Sequence, residues 1–265
     1  MKCILKIALT CLLPMVSITT YAQKLPNVQK VSLWAPAGIK IDGNITEWND
    51  KFQAYNNATE VYYTVANDEG NIYLVIKAKQ SGAIEKIIQN GISFTINHTL
   101  KKKDDSPITI TYPVLQHADK WSVSGLFDSG LKGVVTKEGI GADKSLDGLN
   151  NSFAAKSKFI NVTGIKEIPD ENISVYNEQG IKAVAKFDKS RIYIYELAIP
   201  LKYLALPNNG ADGFSYHIKI NVAVDSNNPA PIITRNSDLK PPPPPDPAGQ
   251  APTDFWGEYT LAKKP

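Results

Sequence analysis

Alternation of apolar and polar residues is the dominant pattern along this chain. In the segment NIYLVIKAK, Ile72, Leu74 and Ile76 fall on one face, and the same period of two returns in the segments ISFTIN, ITITY and HIKIN. This period is typical of strands that bury one face of an antiparallel sheet. We therefore predict that strands run through most of the chain.

Turn-forming residues separate these segments at short intervals. Residues 67–70 read Asn-Asp-Glu-Gly and lie between VYYTVA and NIYLVI, while residues 101–105 read Lys-Lys-Lys-Asp-Asp and precede ITITY. Both connections have the composition of β-hairpin loops. Neighbouring strands are therefore predicted to pair antiparallel.

One helix is predicted in the segment GAIEKIIQNG, because Ile84, Ile87 and Ile88 share a helical face and Gly91 can end the helix. Many short strands with turn signals and one or two short helices favour two stacked antiparallel sheets. The predicted fold class is therefore all-β, an antiparallel β-sandwich of jelly-roll-like kind, formed by one domain over residues 30–263.

Two stretches depart from the alternation. From about Ser124 to Asn172 the pattern weakens and glycines are frequent, so we expect an elaborated segment with long loops. Residues 226–253 hold nine of the 18 prolines, five of them consecutive. Proline donates no hydrogen bond to a sheet ladder, so this stretch is predicted to be a stiff loop before a last strand in FWGEYTLA.

The first 22 residues resemble a secretory signal peptide. Lys2 and Lys6 flank a short hydrophobic run, and Thr20-Tyr21-Ala22 offers a cleavage site with small residues at its first and third positions. Cleavage after Ala22 would give a secreted or periplasmic protein without cysteine, since Cys3 and Cys11 are both removed. The residues before Cys11 fit a lipidation site poorly.

Composition narrows the classes of function. The whole chain carries a formal net charge of +3, and the signal peptide removes two lysines from it, so nucleic acid is not an expected partner. No run approaches the ~20 apolar residues of a membrane span. No serine-nucleophile motif or phosphate-binding glycine loop is present, and the three histidines are scattered. We predict no catalytic residues, although a pair of carboxylates acting on sugars stays the minor alternative.

Exposed aromatic rings are the candidate ligand contacts, because the apolar face of a sugar ring stacks on indole or phenol. Trp121 follows a polar stretch and Trp256 follows the proline-rich one, so both are predicted to face solvent, whereas Trp34 and Trp48 are predicted to be core. Lys219 and Asn221, on the polar side of a predicted strand, are candidate hydrogen-bonding residues.

Glu196 is the acid in the least expected place, within the apolar segment RIYIYELAIPL. A buried carboxylate needs hydrogen bonds or a cation. Two interpretations stay open: a structural acid satisfied by backbone amides or a lysine, and a contact to a ligand or to calcium.

Four segments, IDGNITEW, VYYTVANDEGNIYLVIKA, YIYELAIPLKYL and FWGEYTL, together resemble family 9 carbohydrate-binding modules and their DOMON-like relatives. The family pattern matches here at Asp42, Gly43, Glu47, Trp48, Asp68, Tyr193, Glu196, Ile199 and Pro200. The resemblance implies a β-sandwich that binds sugars, often with structural calcium. The pair of tryptophans that holds the sugar in some members has no assignable counterpart in this chain.

Metal and cofactor expectations follow from the same resemblance. Asp42-Gly43 is predicted to form a tight turn, and Glu47 and Asp50 are the candidate oxygen ligands for calcium. Some DOMON-like relatives bind haem through methionine, but Met1 and Met15 both lie in the predicted signal peptide, so haem is not expected. The leading hypothesis is an exported, non-catalytic carbohydrate-binding protein. The alternative is a structural or interaction protein of the cell envelope with the same fold and no sugar site.

Overall fold

The computed structural model describes residues 24–133, 139–207, 212–222 and 253–265, and for residues 130–133 and 139–145 it describes the backbone only. The predicted signal peptide lies outside the described residues, as does the proline-rich segment apart from Thr253.

Two antiparallel sheets make up most of the described chain. Their strands are β1 (Ala54–Asn56), β2 (Val61–Asn67), β3 (Asn71–Ala78), β4 (Ile92–Ile96), β5 (Ile108–Tyr112), β6 (Phe159–Thr163), β7 (Asn172–Ser174), β8 (Lys182–Phe187), β9 (Tyr193–Pro200), β10 (Phe214–Ile220) and β11 (Thr253–Tyr259). One sheet has five strands in the order β1-β2-β3-β9-β8, and the other has six in the order β11-β10-β4-β5-β6-β7. The predicted all-β sandwich is confirmed, as are both hairpins and the last strand.

The described residues contain three α-helices, whereas the sequence predicted one or two helices. The predicted helix is confirmed as α1 (Ser81–Asn90), which connects the two sheets. The expectation of long loops in the middle of the chain is wrong, because α2 (His117–Gly133) and α3 (Gly139–Lys156) occupy much of it. Each helix buries a pair of apolar residues spaced by four positions. These pairs are Val123 with Phe127, and Leu149 with Phe153.

The core lies between the two sheets. Alternate residues of the strands point into it, so that Ile72, Leu74 and Ile76 from one sheet and Phe94 and Ile110 from the other are at most 1% exposed. Burial of each such side chain contributes roughly 1.5–3 kcal/mol. The period of two in the sequence therefore translates directly into one large apolar core.

A second, smaller apolar cluster covers the outer side of the five-stranded sheet. Residues 33–52 run across this sheet and bury Trp48 and Phe52 against Tyr73, Val75 and Ala198 of β3 and β9. We call this side of the molecule the covered face. It explains why β3 and β9 are buried along nearly their whole length, instead of on alternate residues only.

The outer side of the six-stranded sheet keeps the alternating pattern. In β4 and β5, buried residues alternate with residues of intermediate exposure. Ten of the outward residues form two rows across the strands, and we call this side of the sheet the open face. They are Trp256, His217, Thr95, Thr109 and Thr163 in one row and Asp254, Lys219, Ser93, Thr111 and Asn161 in the other.

Candidate functional site

Glu196 connects the segment IDGNITEW to the covered face. Its side chain is fully buried, and one carboxylate oxygen accepts hydrogen bonds from the backbone N–H groups of Gly43 at 2.8 Å and Asp42 at 3.1 Å. The other oxygen accepts the indole N–H of Trp48 at 3.3 Å. Of the two interpretations of this acid, the geometry fits the structural one, in which backbone amides satisfy it.

Burial also changes the acidity of this carboxyl group. Removal from water raises the pKa of Glu196 to about 7, and the hydrogen bonds from Gly43, Asp42 and Trp48 offset only part of that effect. Gly43 has φ +80°, a conformation that glycine adopts at little cost. The segment IDGNITEW is therefore held against β9 by its hydrogen bonds to Glu196.

The two predicted calcium ligands do not converge. Glu47 accepts a hydrogen bond from the hydroxyl of the adjacent Thr46 at 3.2 Å, whereas Asp50 pairs with the ammonium of Lys77. The described part of the chain has no group of three or more His, Cys, Asp or Glu residues that could hold a metal. The pairing with Lys77 fits an ion pair better than a cation site, so the calcium prediction gains no support from these residues.

Asp68, the turn acid of the family pattern, has a local role in the β2–β3 hairpin. Its carboxylate accepts the backbone N–H groups of Gly70 and Asn71, both at 2.7 Å, and the hydroxyl of Tyr73 at 2.6 Å. Burial raises its pKa, but these hydrogen bonds, led by that of Tyr73, lower it overall. Asp68 in its ionised form therefore stabilises the β2–β3 turn through these hydrogen bonds.

Trp256 lies on the open face and is held in a fixed orientation. In the β10–β11 pair it stands directly opposite His217, and the two rings stack with centroids 4.4 Å apart and planes 10° from parallel. His217 Nε2 lies 2.7 Å from a carboxylate oxygen of Asp254. Because an ionised carboxylate only accepts, this nitrogen carries the hydrogen.

A groove of about 380 Å³ opens beside this stack. Lys30, Lys102, Glu258 and the hydroxyl-bearing Ser215 line it together with Trp256. The groove therefore combines an aromatic ring with charged and neutral hydrogen-bonding groups, which is the mixture that orients a small polar ligand.

The structure brings Lys219 and Asn221 to the same side of the sheet as Trp256. Lys219 stands between Asp254 of β11 and Ser93 of β4. Asn221 follows the end of β10 and donates from its side-chain amide to the hydroxyl of Ser93 at 2.8 Å. Three of the five predicted ligand-binding residues therefore share one surface.

Trp121 and Glu196, the other two, lie elsewhere. Trp121 is 65% exposed, as its sequence context predicted, but it belongs to α2 and contacts the ring of His117 edge to face. Glu196 belongs to the five-stranded sheet and points under the covered face. Neither contributes to the groove beside Trp256.

The remaining tryptophans behave differently from each other. Trp48 is buried, as predicted. Trp34, also predicted to be core, is half-buried and lines a second groove of about 680 Å³ beside Asp68 and Asn71. Its neighbours on both sides are apolar, so its partial exposure has no signal in the sequence.

The hydroxyl side chains of the open face were missed as candidate site residues. Ser93, Thr95, Thr109 and Thr111 were visible only as the polar half of two alternating strands. The signal that could have found them is their type: serine and threonine occupy all four positions, without a lysine, arginine or acid.

Comparison of the chain with protein-family models, curated proteins and solved structures found no match. Among the described helices, none combines the length and the apolar character that crossing a lipid bilayer requires. The function is therefore inferred from the residues of the site.

Proposed function

We propose that this protein binds carbohydrate, without transforming it, at the open face around Trp256. The observation that carries the proposal is the parallel stack of Trp256 on His217 beside a groove lined by Lys30, Lys102 and Glu258. The resemblance to family 9 carbohydrate-binding modules is consistent with this function.

The stack offers a sugar ring a prepared surface. An indole attracts the apolar C–H face of a pyranose, while the polar groups around it bond to the hydroxyls. The ring of Trp256 is already ordered by His217, which Asp254 orients in turn. Little side-chain entropy is therefore lost when the ligand binds.

The acids beside Trp256 favour binding over hydrolysis. Asp254 and Glu258 flank it on the same side of β11, four residues apart, which corresponds to roughly 13 Å along a strand. Glycosidases hold their two carboxyl groups about 5–9.5 Å apart. Asp254 is also engaged with His217. The backbone positions that carry these two acids are therefore further apart than the carboxyl groups of a glycosidase.

Affinity gel electrophoresis tests the proposal with a panel of glucans, xylans and mannans and the protein comprising residues 23–265. We expect retardation by at least one polysaccharide and a loss of affinity of about tenfold or more in Trp256→Ala, because the stacking surface is removed. Trp121→Ala is the matched control, since it removes a different indole, which is 65% exposed and lies on α2.

Two outcomes would contradict the proposal. Retardation that Trp256→Ala and Trp121→Ala weaken equally would place the site elsewhere. A lack of retardation by every polysaccharide, with no hit on a glycan array, would favour the alternative of an envelope protein that uses the same sandwich without a sugar site.

A further inference from the structure

Resting on the proposed function, we infer that the ligand is a chain of neutral sugars that lies across the six-stranded sheet, rather than a single terminal sugar. The oligosaccharide begins at Trp256 and continues over the hydroxyl groups of β4 and β5. The inference depends on the register, the hydrogen bonds and the charge of the open face.

The register aligns the outward side chains in rows across the strands. Trp256, His217, Thr95, Thr109 and Thr163 are successive partners across five strands. Since paired strands lie about 4.8 Å apart, the row spans roughly 19 Å. This length exceeds that of one sugar ring, so a ligand held only at Trp256 would leave most of the row unused.

The hydroxyls of the open face are ordered before any ligand arrives. Ser93 and Thr111 share a hydrogen bond of 2.7 Å, and Thr95 and Thr109 share one of 2.9 Å. Each hydroxyl has one donor and two acceptor positions. A pair therefore keeps one O–H and several lone pairs for a ligand.

The charge of this surface determines the chemistry of the ligand. Neither β4 nor β5 has a charged residue among its outward positions, which are Ser93, Thr95, Thr109 and Thr111. The exposed positions of β8, in contrast, include Lys182 and Lys186. The two rows contain one lysine, Lys219, which stands directly opposite Asp254, so these two formal charges balance. The hydroxyls of β4 and β5 therefore complement a neutral polyhydroxylated chain better than an acidic one.

Side-chain entropy supports the same conclusion. Serine and threonine have few rotamers to lose when a ligand covers them, whereas lysine or glutamate would lose about 1.5–2 kcal/mol each. Short side chains also leave the surface over β4 and β5 without long projecting groups, so an extended ligand can contact both strands.

Isothermal titration calorimetry with oligosaccharides of one to six units tests the inference, using the sugar type that gives the strongest retardation in the electrophoresis. We expect the affinity to rise with each unit and to level off at about four or five, when the row is filled. Equal affinity for one unit and six units would overturn the inference, while loss of binding in Trp256→Ala would still uphold the sugar site.

A hydroxyl-deletion variant tests the same surface directly. Thr109→Val with Thr111→Val keeps the shape and removes both hydroxyls, so the longest oligosaccharide is expected to bind about tenfold more weakly and the single sugar unchanged. Thr109→Ser with Thr111→Ser retains the hydroxyls and is expected to retain the affinity. Thr46→Val, an exposed threonine above the covered face, is the matched control.

The outcomes separate the two proposals. If the valine pair binds long chains as tightly as the unaltered protein does, the hydroxyl rows are not the site and the extended-chain inference fails. If no oligosaccharide of any length binds, the proposed function fails with it. A thermal unfolding scan of each variant checks that the sandwich is intact.

Discussion

The outer sides of the two sheets differ in exposure: one is covered by another segment of the chain, and the other is partly exposed. On the five-stranded sheet, residues 33–52 bury apolar outward residues such as Tyr73 and Val75. On the six-stranded sheet, the outward residues of β4 and β5 are serine and threonine, with intermediate exposure. One sheet is covered on both sides, and the outward residues of β4 and β5 on the other stay partly exposed.

The difference between the covered face and the open face predicts where substitutions will lower the free energy of unfolding and where they will be tolerated. A buried acid under the covered face, Glu196, requires three N–H donors from a segment about 150 positions away in the chain. The hydroxyl pairs of the open face satisfy each other and remain near water. Substitutions should therefore be costly under the covered face and mild on the open one.

Glu196→Ala is expected to have the largest effect. It leaves the N–H groups of Asp42, Gly43 and Trp48 without their acceptor and opens a cavity, which together cost about 3 kcal/mol of unfolding free energy. Urea denaturation at pH 6 measures the loss. Glu47→Ala, in the same segment, is the control and should stay within about 0.5 kcal/mol.

The pH dependence of stability gives the next largest effect. Burial raises the pKa of Glu196 to about 7 from its ordinary value of 4.5. Between these values the folded protein holds a proton that the unfolded chain has released, so a rising pH favours unfolding. The stabilising contribution is complete below about pH 4.5 and is lost as the pH rises through about 7.

Comparison with Glu196→Gln isolates this contribution, because glutamine does not titrate. We expect the stability difference between the two proteins to shift against the unaltered protein by on the order of 2–3 kcal/mol from pH 4.5 to 8. A difference that does not vary with pH would mean that Glu196 has the same pKa in the folded protein as in the unfolded chain.

Asp50→Asn should have an intermediate effect at the rim of the covered face. The side chain of Lys77 is only 11% exposed, so loss of its carboxylate partner leaves a largely buried ammonium group without a counter-charge. Because Asp50 itself is well exposed, water compensates in part, and we expect a loss of about 1 kcal/mol. The same urea titration measures it, and an increase in stability would contradict the proposed role of this pair.

Thr95→Val is expected to have the smallest effect. It removes one partner of a hydroxyl pair near water, and valine is at least as favourable as threonine in a strand. Unfolding free energy should change by less than about 0.5 kcal/mol. A loss above 2 kcal/mol would show that the open face is structural, which would weaken both the contrast between the faces and the inferred ligand surface.

The strands were predictable because their signal is local. Alternation in NIYLVIKAK or ITITY depends only on which side of a strand each residue points to, and the hairpin at residues 67–70 depends only on its own turn chemistry. Helices α2 and α3 were missed for a related reason: each buries few apolar residues, and their glycines resemble loop composition. A spacing of four positions, between Val123 and Phe127 in α2 and between Leu149 and Phe153 in α3, is the local sign of each helix.

The candidate site was predictable in its residue types and not in its assembly. The exposure of Trp121 followed from its polar surroundings, whereas Trp256 is half-buried. Only Trp256 lies beside Lys219 and the hydroxyl rows. The sequence could not show which of the two tryptophans lies beside these residues. That depends on how α2 and β11 pack against the rest of the fold.

The sequence by itself determined the period-two strands, their turns and the acid within an apolar segment, since these depend on neighbours along the chain. Only the tertiary structure decided that Glu196 receives its hydrogen bonds from Asp42, Gly43 and Trp48, and that Trp256 stacks on His217. Both contacts join residues far apart in the chain, and their geometry depends on how the strands pair and which side of each sheet is covered.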